Sequence, residues 1–214
     1  MFPIGRRKLL LGASALAALA ACNSTPGPAT ISPDDIVLGA PNAPVTLIEY
    51  ASATCPHCAH FHETVWDQLK ANYIDTGRVR FIFREFPTPP EQVAVAGFQI
   101  ARCGGATPEQ YFARLSEIFR EHDQMLNETA TMDSIRAKLL EIGASAGLTQ
   151  DQMQQCITDE SGPARIRRLQ DTAQQFNVTG TPTLILNGQK LEGPDSVTYE
   201  GVSHSIDQAL AAHH

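Results

Sequence analysis

The segment Cys55-Pro56-His57-Cys58, set between a β-forming run and a helical pattern, constrains the fold of this chain more than any other feature. Two intervening residues at a helix start bring two sulfurs within disulfide reach and leave the first at the exposed end. Val45 to Ala51 reads as the preceding strand, and Pro56 suits a first helical turn, where its missing N–H costs nothing. Phe61, Val65 and Leu69 continue that helix at four-residue spacing. Arg78 to Phe86, bounded by Gly77 and Pro87, is the next strand. Strand, helix and strand in this order predict a right-handed parallel crossover.

Beyond it the strand signals vanish from about Glu91 to about Gly162, and helical stretches broken at Gly104-Gly105, Pro108, Gly143 and Gly147 predict a helical insertion. A helix over Arg165 to Phe176 follows. Thr183 to Leu186 and Gln189 to Leu191 then flank Asn187-Gly188, a two-residue hairpin signal, and Ser205 to Ala211 closes the chain as a helix. The expected organisation is an α/β domain over 34–88 and 163–214 with an all-helical insertion at 89–162.

The amino terminus reads as an export signal over 1–22, in which Arg6-Arg7-Lys8 precedes an apolar stretch, Leu9 to Ala21, too short to span a bilayer. Its arginines resemble a twin-arginine signal, and Leu19-Ala20-Ala21-Cys22 resembles a lipobox, which makes Cys22 a lipidation candidate and a lipid anchor an expectation. The alternative is cleavage at Ala18-Leu19-Ala20 with Cys22 unmodified. Residues 23–33, opening Asn23-Ser24-Thr25-Pro26-Gly27-Pro28, read as a flexible tether. Export places the protein in the periplasm or cell envelope, where disulfides persist. Sixteen basic against 23 acidic side chains, with no basic stripe, argue against nucleic acid as a partner.

Setting Cys22 aside leaves four of the five cysteines, enough for two pairs. Cys103 and Cys156 both fall in the helical insertion, and an exported protein has little reason to keep two free thiols there, so they are expected to form a structural disulfide. For Cys55 and Cys58, haem attachment is excluded because Ala59 follows Cys58 where a histidine would be needed. The remaining alternatives are a structural disulfide and zinc or copper binding, for which His60 and His62 lie close by and Cys58 and His62 share a helix face. Against metal binding, no second cysteine pair flanks the helix, so no metal and no cofactor beyond a Cys55–Cys58 disulfide is expected. Cys55 is the expected attacking thiol, because its thiolate would meet unpaired N–H groups and the positive end of the helix dipole, with His57 adding a donor or a charge.

The element order, with Cys55-Pro56-His57-Cys58, Glu49 six residues before Cys55, and Gly180-Thr181-Pro182 leading into the hairpin, resembles the thioredoxin fold as elaborated in the bacterial DsbA family, over roughly residues 34 to 214. The resemblance implies a thiol-disulfide oxidoreductase that donates its disulfide to reduced or misoxidised exported proteins through a mixed disulfide at Cys55, resolved by Cys58. It implies reoxidation by a quinone-linked membrane oxidase of the DsbB type. Glu49, on the same strand face as Val45 and Leu47, matches the buried acid that relays a proton to or from Cys58. Thr181-Pro182 matches the cis-proline loop facing the disulfide, where the Thr181 backbone would pair with an extended substrate. A disulfide isomerase or reductase is the competing reading: Thr181 before Pro182 is shared with some isomerases, although about twenty residues between Cys22 and the first strand leave no room for a dimerisation domain.

Overall fold

The structure, a computed structural model, describes residues 31–213. The expected export signal and Cys22 lie outside these residues. Among the described residues five strands form one sheet in the order β1-β3-β2-β4-β5, from β1 (Ile36–Leu38), β2 (Val45–Ala51), β3 (Val79–Glu85), β4 (Thr183–Leu186) and β5 (Gln189–Lys190). Only β2 and β3 run parallel, so the crossover over the Cys-x-x-Cys helix joins the one parallel pair of a mixed sheet.

The helix after β2 begins as α1 (Pro56–Phe61) and continues through a π turn (His62–Trp66), a short α turn (Asp67–Leu69) and a second π turn (Lys70–Ile74). Between β3 and β4 lie α2 (Glu91–Arg102), α3 (Pro108–Arg120), α4 (His122–Met125), α5 (Met132–Ser145), α6 (Gln150–Ile157) and α7 (Ser161–Gln174), and α8 (Tyr199–Ala211) ends the chain. Thr107, Thr131 and Thr149 start α3, α5 and α6 with capping boxes, each paired with the polar residue three positions on: Gln110, Ser134 and Gln152. Each box satisfies two backbone donors that a helix start otherwise leaves to water.

The period-2 alternation of the strands divides the core. Val45, Leu47, Phe81, Phe83, Leu184 and Leu186 face one side, in one buried cluster with Phe61 and Leu69 of the helix after β2, Phe98, Leu115 and Ile142 of the insertion, and Val202 and Ile206 of α8. The inserted helices therefore share the core of the sheet. Aromatic contacts make the join: Trp66 stacks on Phe112 of α3 at 4.7 Å, and Phe112 meets Phe83 of β3 edge-on at 5.6 Å. Pairs of this kind add about 0.5–1.5 kcal/mol beyond the area they bury. On the opposite face Ile48, Tyr50, Ile82 and Ile185 pack against Ala173 of α7 and Val178.

The structure departs from expectation at the edges. β1 was not expected; three residues give periodicity too little to register. α7 starts at Ser161 rather than Arg165, accommodating Pro163 in its first turn. α8 starts at Tyr199 rather than Ser205, because the Thr198 hydroxyl caps it by accepting from the Gly201 N–H at 3.2 Å. No helix among the described residues is long and apolar enough to cross a membrane.

Candidate active site

β2 ends at Ala51, and Ser52 to Thr54 carry the chain to the first turn of α1. This loop is pinned from two directions. The Ser52 hydroxyl accepts from the backbone N–H of Thr88 at 3.0 Å, and the Thr54 hydroxyl donates to the Thr88 carbonyl at 2.9 Å. From the inserted helices, His122 Nε2 lies 3.2 Å from the Thr54 carbonyl oxygen. Because Thr54 immediately precedes Cys55, these bonds fix where the sulfur is presented.

Cys55 is the N-cap of α1, with Pro56 at the first helical position. Its Sγ accepts from the backbone N–H of Cys58 at 3.4 Å and lies 3.2 Å from the Thr181 carbonyl oxygen, to which the thiol donates. Cys55 is only 6% exposed, more enclosed than a sulfur at an open helix end, whereas Pro56 and His57 beside it are exposed. Cys58 is fully buried, and the two thiols are free.

The environment drives the two sulfurs apart. A hydrogen bond from the Cys58 thiol, helped by the Thr181 side chain and then by the backbone N–H groups of Cys58 and His57, lowers the Cys55 pKa to about 5 against the opposing effect of burial. His57 thus acts through its main chain. Burial, then the neighbouring Cys55 and the charge of Glu49, push the Cys58 thiol well above the ordinary range. One sulfur is held ready as an anion, and the other keeps its proton.

Glu49 is completely buried on β2, between Phe83 of β3 and Leu184 of β4 in the sheet register. Its Oε2 is 3.2 Å from His62 Nε2, while Oε1 is buried without a hydrogen-bond partner. The buried pair joins the expected relay acid to His62, which the sequence offers only as a candidate metal ligand. A signal was present: Cys58, Phe61, His62, Val65, Trp66 and Leu69 form one apolar stripe at helical spacing, in which His62 is the lone imidazole. His60 is exposed, so the two histidines of the metal alternative are separated, and among the described residues no three His, Cys, Asp or Glu side chains gather as a metal site. His122, Thr54 and Thr88 carried no sequence signal.

Thr181–Pro182 is a cis peptide at the entry to β4, facing Cys55 across the site. Cys103 and Cys156 are bonded, with sulfurs 2.08 Å apart, tying the end of α2 to α6.

A family model described as thioredoxin matches residues 31–208. The chain belongs to the thioredoxin family. Within it, the structure is similar to Wolbachia pipientis alpha-DsbA1, with a TM-score of 0.75 and 28% identity over 85% of this chain and 94% of that one. BdbD from Bacillus subtilis shares the fold at a TM-score of 0.71 and 20% identity, over 87% of this chain and 98% of that one. A Rickettsia prowazekii protein provisionally named a protein-disulfide oxidoreductase is 29% identical over 84% of this chain, which spans 63% of that relative's length. The resemblance to the DsbA family drawn from Cys55-Pro56-His57-Cys58, Glu49 and Thr181-Pro182 is borne out, as is the thioredoxin-like fold with inserted helices.

Proposed function

We propose that this thioredoxin-family chain is a thiol-disulfide oxidoreductase that donates its Cys55–Cys58 disulfide to reduced proteins exported from the cytoplasm. The observation that carries this reading is the contrast between the sulfurs: Cys55 lowered to about 5 at a helix N-cap, and Cys58 buried beside it and raised. A helix start that stabilises the Cys55 thiolate stabilises the reduced form and makes the disulfide an oxidant.

A client thiolate attacks Cys55 Sγ; a client–Cys55 bond forms as the Cys55–Cys58 bond breaks, and Cys58 leaves with the electron pair and takes up a proton. The second client thiol, deprotonated, attacks the client sulfur of the mixed disulfide, and Cys55 departs as a thiolate. The client loses two electrons and two thiol protons, and the enzyme gains the electrons. Thr181, whose carbonyl reaches Cys55, supports a role for the 181–182 loop in holding the client backbone beside the sulfur. Reoxidation would fall to a quinone-linked membrane oxidase of the DsbB type, and the export signal over 1–22, with Cys22 as lipid anchor, would place the exchange in the periplasm. The unit that does this is the α/β domain over 34–88 and 163–214 with its insertion at 89–162.

The test is the steady-state redox form of Cys55 and Cys58 in the cell envelope, read by trapping free thiols. A mostly oxidised pair is the expected result. A mostly reduced pair would reverse the direction and assign the protein to isomerisation or reduction.

A further inference from the structure

Exchange at a buried Cys58 needs a way for protons to enter and leave a closed core. His62 lies one turn beyond Cys58, with its side chain 2% exposed, and its Nε2 meets Glu49 Oε2 at 3.2 Å. The other ring nitrogen, Nδ1, is buried and has no hydrogen-bond partner in the protein. The ring is fixed in place, against Trp66 at 5.1 Å and Phe119 at 4.5 Å, with Phe83 edge-on at 6.5 Å. It also lines a cleft of about 450 Å³ between the helix that follows β2 and the corner from α3 to α4. The pair Glu49–His62 therefore has an unpartnered polar atom at each end, Glu49 Oε1 and His62 Nδ1, and His62 itself lines the cleft.

We infer that His62 is the outer half of a proton conduit, exchanging protons with the water of this cleft at Nδ1 and with Glu49 at Nε2, and through Glu49 serving Cys58. The inference rests on the disulfide-exchange reading above. When the Cys55–Cys58 bond opens, the electron pair stays on Cys58. One proton enters at Nδ1 as Nε2 passes one to Glu49 and Glu49 passes one to Cys58. Reoxidation runs the transfers backwards, so the ring ends each cycle as it began. His62 is a positioning and relay residue, since it touches neither client nor reacting sulfur. The titratable and charged groups around it are Glu49 from β2, then Cys58, His60, Glu63 and Asp67 from its own helix, and Arg120 and Asp123 from the α3–α4 corner; from β3 it meets the ring of Phe83.

Trp66, the one tryptophan in the chain, stacks on His62 and reports on the site. The test is stopped-flow reduction of the oxidised full-length protein by dithiothreitol, followed by Trp66 fluorescence across about pH 5 to pH 9, in water and in heavy water. His62→Gln keeps a donor towards Glu49 but cannot pass a proton. It should react at least about tenfold more slowly near neutral pH, with a flattened pH profile and an altered solvent isotope effect. His62→Ala should regain rate as imidazole is added, because the cleft and the vacated ring site admit it. If His62→Ala does not fold, the His62→Gln profile alone decides. A His62→Gln profile that superimposes on that of the parent overturns the inference, as does a slowing that is equal at every pH and unmoved by imidazole. If the unmodified disulfide proves no more reactive than one between ordinary thiols, the exchange reading falls and the conduit with it.

Discussion

Cys55 Sγ and the Thr181 carbonyl oxygen lie 3.2 Å apart although 126 residues separate them in the chain. The contact closes the site between the start of α1 and the entry to β4, and explains why a helix N-cap that would otherwise face solvent is only 6% exposed. The partial enclosure limits how far water can screen the interactions that tune the sulfur.

The first prediction concerns that sulfur. Cys55 has a folded pKa of about 5 against an ordinary value of 9.0. For a depressed group, the stabilisation of the reduced fold is complete above the unfolded value and is lost as pH falls through the folded one. The reduced protein should therefore lose stability relative to the oxidised protein as pH is lowered from about 9 to below about 5, by no more than about 3 kcal/mol at neutral pH and less where water screens the sulfur. Urea unfolding of both redox forms at several pH values measures it. Cys58→Ala removes the largest cause of the depression, so the midpoint of Cys55 alkylation should rise from about 5 in that variant. An unmoved midpoint would show that Thr181 and the helix backbone hold the thiolate without the Cys58 thiol.

A second prediction follows from Glu49, whose charge is among the causes raising the Cys58 pKa. Glu49→Gln keeps the shape and removes the charge. Exchange near neutral pH should slow by at least about tenfold, a bound set below the roughly hundredfold or more that a lost acid–base group typically costs. At the same time, in a Cys55→Ser background, Cys58 should ionise at lower pH than in the Glu49 parent. Thermal unfolding should show a folded variant. Unchanged exchange rates across the pH range would remove Glu49 from the reaction.

The parts of this site that could be read in the sequence are those carried by local rules. Cys55 and Pro56 sit where helix-start chemistry puts them, Glu49 stands out as a carboxylate among Val45, Leu47 and Phe83, and Asn187-Gly188 marks its hairpin. What could not be read depends on packing between distant segments. Nothing near His122 says that its ring will reach the carbonyl before Cys55, 68 residues upstream. The spacing puts Trp66 beside His62, but nothing near His62 says that Phe119 will close on its other side or that its ring will meet Glu49. The enclosure of Cys55 likewise comes from Thr181, which local periodicity around the helix start does not see.

The bond between Cys103 and Cys156 supplies a third prediction. It closes a sequence separation of 53 residues, for which unfolded-chain entropy allows up to roughly 4 kcal/mol. The double variant Cys103→Ala/Cys156→Ala should unfold at lower urea concentration by an amount within that bound. Its reduction by dithiothreitol at Cys55 should stay within about threefold of the parent, because His122 and Phe112, which tie the insertion to the site, belong to other helices. A large loss of exchange rate with little loss of stability would give this disulfide a role in the chemistry instead.

The fourth prediction lies on the far face of the sheet. Arg84 on β3 meets Asp35 through two parallel bonds, Nε to Oδ1 at 2.9 Å and Nη2 to Oδ2 at 3.0 Å, with their side chains 1% and 0% exposed. Its Nη1 donates to the Tyr50 hydroxyl of β2 at 2.8 Å, and that hydroxyl is 2.9 Å from Thr172 Oγ1 of α7. The network thus fastens the chain before β1, two strands and a helix to one guanidinium. Removing one partner leaves a charge in the core, so Asp35→Ala should cost about 3–5 kcal/mol in urea unfolding. Replacing both with apolar residues removes the stranded charge, and Asp35→Ala/Arg84→Met should cost clearly less than the sum of the two single changes. Additive losses would mean that water reaches the site and solvates whichever charge remains, and the pair would then count as a partly wet ion pair at the sheet edge.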